Sequence, residues 1–418
     1  MSIFLFTIYL ILFTLLVNRV PFFKKSGLTP FWLTAFFWTK ILAGIAYGIY
    51  HTTIPNYHTE ADTWRFFFDS KSQTQLLFDN PVKFITELVE NPYEKKYRHF
   101  FSSHNSFWND LRHIYMVKLV AFMNVFSGSR YYINVIFFQF LTFFGPVAII
   151  RVFNDVFKGK LQIIAGAMFA IPSFVFWSSG IHKDGLVFTV IGLITYCMHQ
   201  YFTKNRSVLL LVYAFLLLSL IFPLRNYVAL AVIPALIAWW WASGIKTYRW
   251  VPFVVIAVLG TILFFTTKFI HPKIDLPVAI VMRNKDFIQL GGNSMMPQPE
   301  LKSNFISFMI NAPGALNHAL ARPYLHEINS ITYFLSAVEI TALWIIVIIW
   351  FFRHHGNPYK KPVILFLLML SMIVLLLTGY IVPQTGALVR YRSIYIPLII
   401  IPMMCTTSWK KRIKENYI

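Results

Sequence analysis

The sequence predicts an all-α membrane protein, a polytopic bundle of about eleven transmembrane helices that forms one membrane domain over residues 1–418. Hydrophobic residues make up 57% of the chain and charged residues only 13%. The mean hydropathy is +0.61, far from the average of soluble domains. Apolar runs that approach the ~20 residues of a bilayer crossing also recur along the chain. Composition and repetition together exclude an ordinary soluble enzyme.

Each predicted span is an apolar run bounded by polar or charged residues. Several runs are shorter than a perpendicular crossing, so we expect flanking aromatic residues to extend them. The first run lacks a basic segment before it and is interpreted as a retained span. The predicted spans are Ser2–Val17, Phe31–Tyr50, Tyr131–Ile150, Leu161–Phe176, Leu186–Phe202, Val208–Phe222, Tyr227–Ala242, Val251–Thr267, Tyr333–Phe352, Val363–Val382 and Ser393–Met404.

The distribution of Lys and Arg predicts the orientation. With eleven spans, most short basic loops fall on one side, which the positive-inside rule assigns to the cytoplasm. The N-terminus is then expected outside and the C-terminus in the cytoplasm, in a bacterial inner or plasma membrane. The basic residues of that side are Arg19, Lys24, Lys25, Arg151, Lys158, Lys160, Lys204, Arg206, Lys246, Arg249, Arg353, Lys360, Lys361, Lys410, Lys411, Arg412 and Lys414.

Two long segments, 51–130 and 268–332, are expected to form exoplasmic loops. In the first, Asn80–Glu90 and Phe107–Phe126 carry apolar residues at helical spacing, which predicts helices at the membrane interface. The second includes Phe305–Leu320, predicted to be helical but interrupted at Pro313-Gly314. Every candidate for chemistry in the chain lies on this predicted exoplasmic side.

The first loop contains two acidic residues among aromatic ones. Asp62 and Asp69 stand seven residues apart, around Trp64 and the run Phe66-Phe67-Phe68. A partly desolvated carboxylate at a membrane surface can have its pKa adjusted for proton transfer. We therefore take Asp62 first, and then Asp69, as candidate catalytic residues, against the alternative of acids in a solvated loop.

The short turn between the fourth and fifth predicted spans is the second candidate site. It contains His182, Lys183 and Asp184, and Pro172 is expected to kink the helix that leads into it. Lys183 is suited to hold a phosphate as a point charge, and His182 can donate a hydrogen bond to the same group. A local ion pair between Lys183 and Asp184 is the simpler alternative.

Several arginines lie on the side that the positive-inside rule disfavours. Arg225, Arg390 and Arg392 stand near predicted span ends, where guanidinium groups match the geometry of phosphate. The sequence Arg322-Pro323-Tyr324-Leu325-His326-Glu327 also places three ionisable groups in six residues. Anchoring to lipid headgroups is the alternative explanation for these side chains. We assign Arg225, Arg322, His326, Glu327, Arg390 and Arg392 to substrate binding, together with His182, Lys183 and Asp184.

The remaining charged residues, the cysteines and the absence of common cofactor motifs reduce the number of possible functions. Lys40 and Glu339 are charges within apolar spans and could pair with each other. The two cysteines, Cys197 and Cys405, lie in apolar spans and support neither a disulfide framework nor a thiolate site. No HExxH, P-loop or dinucleotide motif is present. We therefore expect no cofactor, the histidine spacing gives a divalent metal no support, and no basic cluster has the context of a nucleic-acid binder.

The pattern resembles the GT-C superfamily of integral-membrane glycosyltransferases. Members typically carry an acidic residue in the first long exoplasmic loop, the position that Asp62 takes in Ala61-Asp62-Thr63-Trp64. Many have a proline-serine run with aromatic residues and then an acid, similar to the stretch from Pro172-Ser173 to Asp184. A large late exoplasmic loop and basic residues for a lipid phosphate are further similarities.

The resemblance implies transfer of a sugar from a polyprenyl-phosphate donor to an exoplasmic glycan or lipid acceptor. Asp62 would be the general base, and Lys183, Arg225 and Arg392 would neutralise the leaving phosphate. The partners expected are this lipid-linked donor, the acceptor and membrane lipids.

Two other functions stay open at this stage. A Wzy-like O-antigen or exopolysaccharide polymerase, or the related ligase, shares a similar span number, outer arginines and a lipid-linked substrate, and relies on basic residues and histidines more than on a carboxylate. A flippase or transporter of a lipid-linked substrate would use Lys40 and Glu339 along its pathway, although the sequence shows none of the internal symmetry of many transporters.

Overall fold

All regular secondary structure in the described part of the chain is helical. The computed structural model describes residues 2–53, 61–88, 107–271, 274–291, 294–328 and 330–409. Two short 3₁₀ turns, Leu325–Glu327 and Pro358–Lys360, accompany the α-helices. The helices are α1 Ser2–Arg19, α2 Pro21–Lys24, α3 Pro30–Thr53, α4 Asp62–Asp79, α5 Pro81–Thr86, α6 Phe107–Ser127, α7 Tyr131–Val156, α8 Leu161–Ala170, α9 Pro172–Ser179, α10 Lys183–Thr203, α11 Val208–Leu224, α12 Asn226–Ser243, α13 Val251–Ile270, α14 Leu276–Leu290, α15 Phe305–Ala321, α16 Ile331–Arg353, α17 Pro362–Ile381, α18 Thr385–Ser393 and α19 Ile396–Thr406.

The chain is an integral membrane protein, with seven described helices long and apolar enough to cross a bilayer. These are α3, α7, α10, α12, α13, α16 and α17. Two bent pairs, α8–α9 and α18–α19, raise the number to nine if each pair is one span. The predicted spans Ser2–Val17 and Val208–Phe222 correspond to shorter apolar helices, α1 and α11. The prediction of about eleven spans is therefore confirmed only as a multi-span helical bundle.

The bundle has a buried centre and a lipid-facing periphery. In the most apolar 18-residue segments of α7 and α10, 78% and 72% of the residues are buried, whereas in those of α13 and α16 the values are 11% and 17%. Glycines allow the central pair to approach closely, because a Cβ on Gly192 of α10 would lie 2.7 Å from the carbonyl oxygen of Gly145 in α7. Small residues at such crossings are typical of membrane helix packing.

Breaks in two predicted spans shape the region described below. Pro172 opens α9, and the axis turns by 66° between α8 and α9, as the kink prediction requires. The predicted last span, Ser393–Met404, is instead the second arm of a pair that bends by 58°, with Thr385–Ser393 as the first arm. Proline cannot donate to the preceding turn, so helices restart at such positions. Such a break lets polar side chains lie beside irregular backbone within an otherwise apolar bundle.

The two long loops contain more helix than the sequence pattern indicated. The first contains α4, α5 and α6 in its described parts, and α6 is not among the candidate spans. The second contains α14, which the sequence analysis missed, and α15. The predicted interruption at Pro313-Gly314 is wrong, since α15 runs unbroken from Phe305 to Ala321. Close packing against α17 stabilises α15. This packing is possible because Gly379 of α17 has no Cβ, which would otherwise clash with the backbone of Ala315.

Candidate functional site

Five ionisable side chains from four separate parts of the chain meet at one end of the bundle. They are Asp62, His182, Asp184, Arg225 and Arg390, and we call them the charged cluster. All five are sequence-predicted site residues. The structure therefore brings together the polar first loop, the α9–α10 turn, the α11–α12 turn and the first arm of the last bent pair.

All five members of the charged cluster lie at or near helix ends. Asp62 and Asp184 lie in the first turns of α4 and α10, and Arg225 and Arg390 lie at or near the ends of α11 and α18. Carboxylates are favoured at helix N-termini and cations at C-termini because of the helix dipole. His182 is the N-cap residue of α10. The dipoles of α4, α10 and α18 therefore favour the charges at these ends. Arg225 is favoured by the end of α11, but it is also the N-cap residue of α12, whose dipole disfavours a cation.

The imidazole of His182 lies between the two carboxylates. Its Nε2 is 2.9 Å from Asp62 Oδ2, and its Nδ1 is 2.9 Å from Asp184 Oδ2. The side chain of His182 is only 1% exposed. This arrangement fixes the plane of the ring and links an acid at the surface to an acid in the interior.

The two guanidinium groups complete the network. Arg390 donates from Nε to Asp184 Oδ2 at 3.0 Å and from Nη2 to Asp62 Oδ2 at 3.1 Å. Arg225 donates to the other oxygen of Asp184 and to the hydroxyl of Tyr227. Asp184 is fully buried, so its negative charge requires such partners. Asp184 is therefore the shared buried partner of His182, Arg225 and Arg390, and it is the cluster residue least accessible to a substrate.

Asp62 is the accessible member of the cluster. Its side chain is 44% exposed, against 21% for Arg390 and none for Asp184. Partial burial favours the neutral acid, but the hydrogen bond from His182 and the charges of Arg390 and Lys183 hold the pKa of Asp62 well below its usual value. The carboxylate at the mouth of the site is therefore ionised at neutral pH.

Further cations and aromatic rings surround the cluster. Lys183 lies 5.3 Å from the ring centre of Phe66, and the guanidinium of Arg225 lies 4.6 Å from that of Tyr391. Arg112, which the sequence analysis missed, is in electrostatic range of Arg225; burial, Arg283 and Arg225 lower its pKa to about 10. Aromatic faces stabilise cations by their quadrupoles. The site therefore has both apolar surface and positive charge.

Lys40 and Glu339 do not pair with each other. They hold the two ends of the short helix α9, which leads into His182. Glu339 accepts hydrogen bonds from the backbone N–H and the hydroxyl of Ser173, at 2.6 and 2.5 Å. Lys40 Nζ donates to the carbonyl and hydroxyl of Ser178 and to the hydroxyl of Ser179, at 3.1–3.2 Å. An acid at the N-terminus and a base at the C-terminus match the dipole of α9.

The other predicted site residues lie outside the charged cluster. Asp69 is two turns further along α4 and is 2.7 Å from His113 Nε2. Arg322 pairs with Glu327 at 3.1 Å, and His326 stacks on Tyr324. Arg392 is buried on the α15 side of α18, where it donates to the backbone carbonyls of Arg322 and Ala319.

No family model, curated protein or solved structure matches this chain. Among the residues that the structure describes, no group of three or more His, Cys, Asp or Glu side chains is arranged to hold a metal ion. Any functional assignment therefore depends on the chemistry of the charged cluster itself.

Proposed function

We propose that the chain is a membrane glycosyltransferase that moves a sugar from a polyprenyl-phosphate donor to an exoplasmic glycan or lipid acceptor, with the charged cluster as its active site. One observation carries the proposal: an ionised, accessible carboxylate, Asp62, lies 3.1 Å from a guanidinium, that of Arg390, at a cationic, aromatic-lined end of the bundle. A base beside a phosphate-binding cation is the combination that this transfer requires.

The balance of charge supports an anionic ligand. Lys183, Arg225 and Arg390 bring three positive charges to the two negative charges of Asp62 and Asp184, before His182 and the nearby Arg112 are counted. Uncompensated positive charge is costly beside an apolar bundle. A phosphate delivered by a membrane lipid would compensate this excess where the helices end.

The proposed reaction is a displacement at the anomeric carbon of the donor. The acceptor hydroxyl gives its proton to the carboxylate of Asp62 and forms a new bond to the anomeric carbon. The bond from that carbon to the phosphate oxygen breaks, and the electron pair leaves with polyprenyl phosphate. Arg225, Arg390 and Lys183 stabilise the negative charge that grows on this oxygen.

The low pKa of Asp62 gives Arg390 a specific part in the cycle. With its pKa held down by His182, Arg390 and Lys183, Asp62 is a weak base in the free protein. A bound phosphate would compete for the guanidinium of Arg390 and reduce its attraction for Asp62. Asp62 would then become more basic when the donor is in place, which links proton transfer to occupancy of the site.

A Wzy-like polymerase or ligase is the second candidate. The observation that favours it is the predominance of basic groups, with His182 and Arg390 within contact of each other and of Asp62. In that mechanism the cations bind a pyrophosphate-linked glycan, and Asp62 only orients His182. Transport is less favoured, because Lys40 and Glu339, which would line a pathway, are bound to the ends of α9.

The test is product formation by the purified protein with polyprenyl-phosphate and polyprenyl-pyrophosphate sugars, followed by mass spectrometry. We expect transfer from the monophosphate donor, and Asp62→Asn should lower the rate at least a hundredfold, within the ~10²–10⁴ contribution of a general base. Asp69→Asn is the matched control, because the same change on the same helix touches His113 and not the cluster.

The other outcomes separate the candidates. Transfer only from the pyrophosphate donor, with Asp62→Asn active and Arg225→Gln inactive, would favour the polymerase. Absence of product from both donors would contradict both enzymatic functions and direct attention to transport.

A further inference from the structure

A second pair of arginines, Arg322 and Arg392, carries buried hydrogen-bond donors that no described acceptor meets. Arg392 is 1% exposed, and only its Nη1 has partners, the backbone carbonyls of Arg322 and Ala319. Its Nε and Nη2 have none, and neither do Nε and Nη1 of Arg322. Four guanidinium nitrogens of these two arginines therefore lack an acceptor in the described part of the chain, and Arg392 contacts the backbone of Arg322.

Buried donors of this kind are uncommon, because each has given up its hydrogen bond to water. Arg322 has one carboxylate partner, Glu327, which contacts its Nη2 at 3.1 Å. Arg392 has no carboxylate within ion-pair distance among the described residues. Glu339 attracts it electrostatically, but both oxygens of Glu339 are bound to Ser173. The donors that remain are those that an external acceptor would use.

The pair is distinct from the charged cluster. Arg390 and Arg392 are two residues apart on α18, which places them about 200° apart around the helix axis. Arg390 contacts Asp62 and Asp184, whereas Arg392 contacts the end of α15. The first arm of the last bent span therefore presents one arginine to each of two separate regions.

We propose that Arg322 and Arg392 form a second binding site, independent of the proposed active site, for the phosphate group of an anionic ligand. Two guanidinium groups offer planar pairs of N–H donors, which match the several oxygens of a phosphate. The side chain of Arg322 is 20% exposed, whereas the four nitrogens without an acceptor are buried, so a ligand would have to approach them from the Arg322 side. The same chemistry would accept a phospholipid headgroup or free phosphate from solution.

The experiment counts bound phosphate groups on the full-length protein. Native mass spectrometry of the protein with phosphatidic acid in detergent micelles gives the number and affinity of tightly bound lipids. A second arm adds inorganic phosphate as a competitor. Arg322→Lys and Arg392→Lys keep the positive charge but remove the planar set of guanidinium donors. Lys302→Gln, which changes an exposed side chain, controls for a general loss of positive charge.

We expect wild type to bind phosphatidic acid at this site, and each arginine variant to bind it at least about tenfold more weakly, the effect of a lost charge-assisted hydrogen bond. Lys302→Gln should bind as wild type does. Displacement by millimolar phosphate would identify free phosphate as a ligand, and resistance to displacement would identify a lipid headgroup. Equal binding by wild type and both arginine variants would overturn the proposal.

Two further measurements keep the result interpretable. The unfolding temperature of each variant separates loss of binding from loss of fold, and Arg322→Lys serves where Arg392→Lys does not fold. Arg225→Gln removes a cation of the charged cluster only. If Arg225→Gln loses no bound lipid while Arg322→Lys does, the second site is supported although the charged cluster does not bind phosphate. If Arg225→Gln loses lipid and Arg322→Lys does not, the second site is contradicted and the proposed active site is not.

Discussion

Replacing Asp184 is the strongest test of how the charged cluster contributes to the stability of the fold. It is fully buried and contacts His182, Arg225 and Arg390. Asp184→Asn removes the negative charge but keeps the shape, and leaves two arginines without their shared partner. Breaking one side of a buried ion pair costs about 3–5 kcal/mol. We therefore expect Asp184→Asn to lower the free energy of unfolding by roughly that amount.

Asp155→Asn provides the matched control. Asp155 pairs with Lys204 at 2.8 Å, but the two side chains are 25% and 54% exposed. Ion pairs of this exposure contribute about 0–1 kcal/mol. Both variants can be compared by reversible unfolding in mixed micelles of increasing dodecyl sulfate content. The double variant Asp184→Asn with Arg225→Gln should cost less than the sum of the single changes, because it also removes an unpaired cation. Similar costs for Asp184→Asn and Asp155→Asn would refute the view that the cluster depends on Asp184.

The remaining predictions concern helix placement and pH. Measured well below its unfolding temperature, Lys40→Met should lower activity tenfold or more, on the order expected for a small displacement of catalytic groups; unchanged activity would contradict a role of α9 in positioning His182. Gly192→Ala should destabilise the protein by about 1–3 kcal/mol through overpacking against Gly145, whereas Gly260→Ala, with open space at its Cβ, should be neutral in the same unfolding assay. The folded-state pKa of Asp62 is depressed, so its ionised form stabilises the fold above about pH 4 and that stabilisation is lost as the pH falls towards the folded pKa. The difference in unfolding temperature between wild type and Asp62→Asn should therefore shrink below about pH 4, and a difference that stays constant from pH 7 to pH 3 would contradict the pairing of Asp62.

Sequence patterns identified all five members of the charged cluster as candidates because each is an ionisable group beside aromatic residues or near the end of a predicted span. Their meeting was not predictable from the pattern. Asp62 and Arg390 are separated by 328 residues, and no local rule states which helix ends are neighbours. The expected exoplasmic placement of Asp62 and Lys183 on one side agrees with their proximity, although orientation relative to the cell stays a prediction.

Failures of the sequence analysis have physical causes. Pairing of Lys40 with Glu339 was one possibility from the sequence, but hydrogen-bonding groups at the two ends of α9 are their partners instead. Arg112 was missed because it lies in a stretch whose periodicity indicated only an interfacial helix. Pro313 was expected to break α15, yet packing on α17 outweighs the single lost hydrogen bond. In the cases of Lys40, Glu339 and Pro313, contacts between distant parts of the chain decided the outcome, and these contacts are not encoded in local sequence patterns.

Equilibrium binding of polyprenyl phosphate to the purified protein in nanodiscs tests the central claim most directly. The account predicts that Arg390→Lys, which keeps the charge but loses the contacts to Asp62 and Asp184, binds this lipid at least about tenfold more weakly than wild type. Lys302→Gln, which removes an exposed charge elsewhere, should bind as wild type does. Equal affinities for wild type and Arg390→Lys would contradict the claim that the charged cluster receives the phosphate of a membrane lipid.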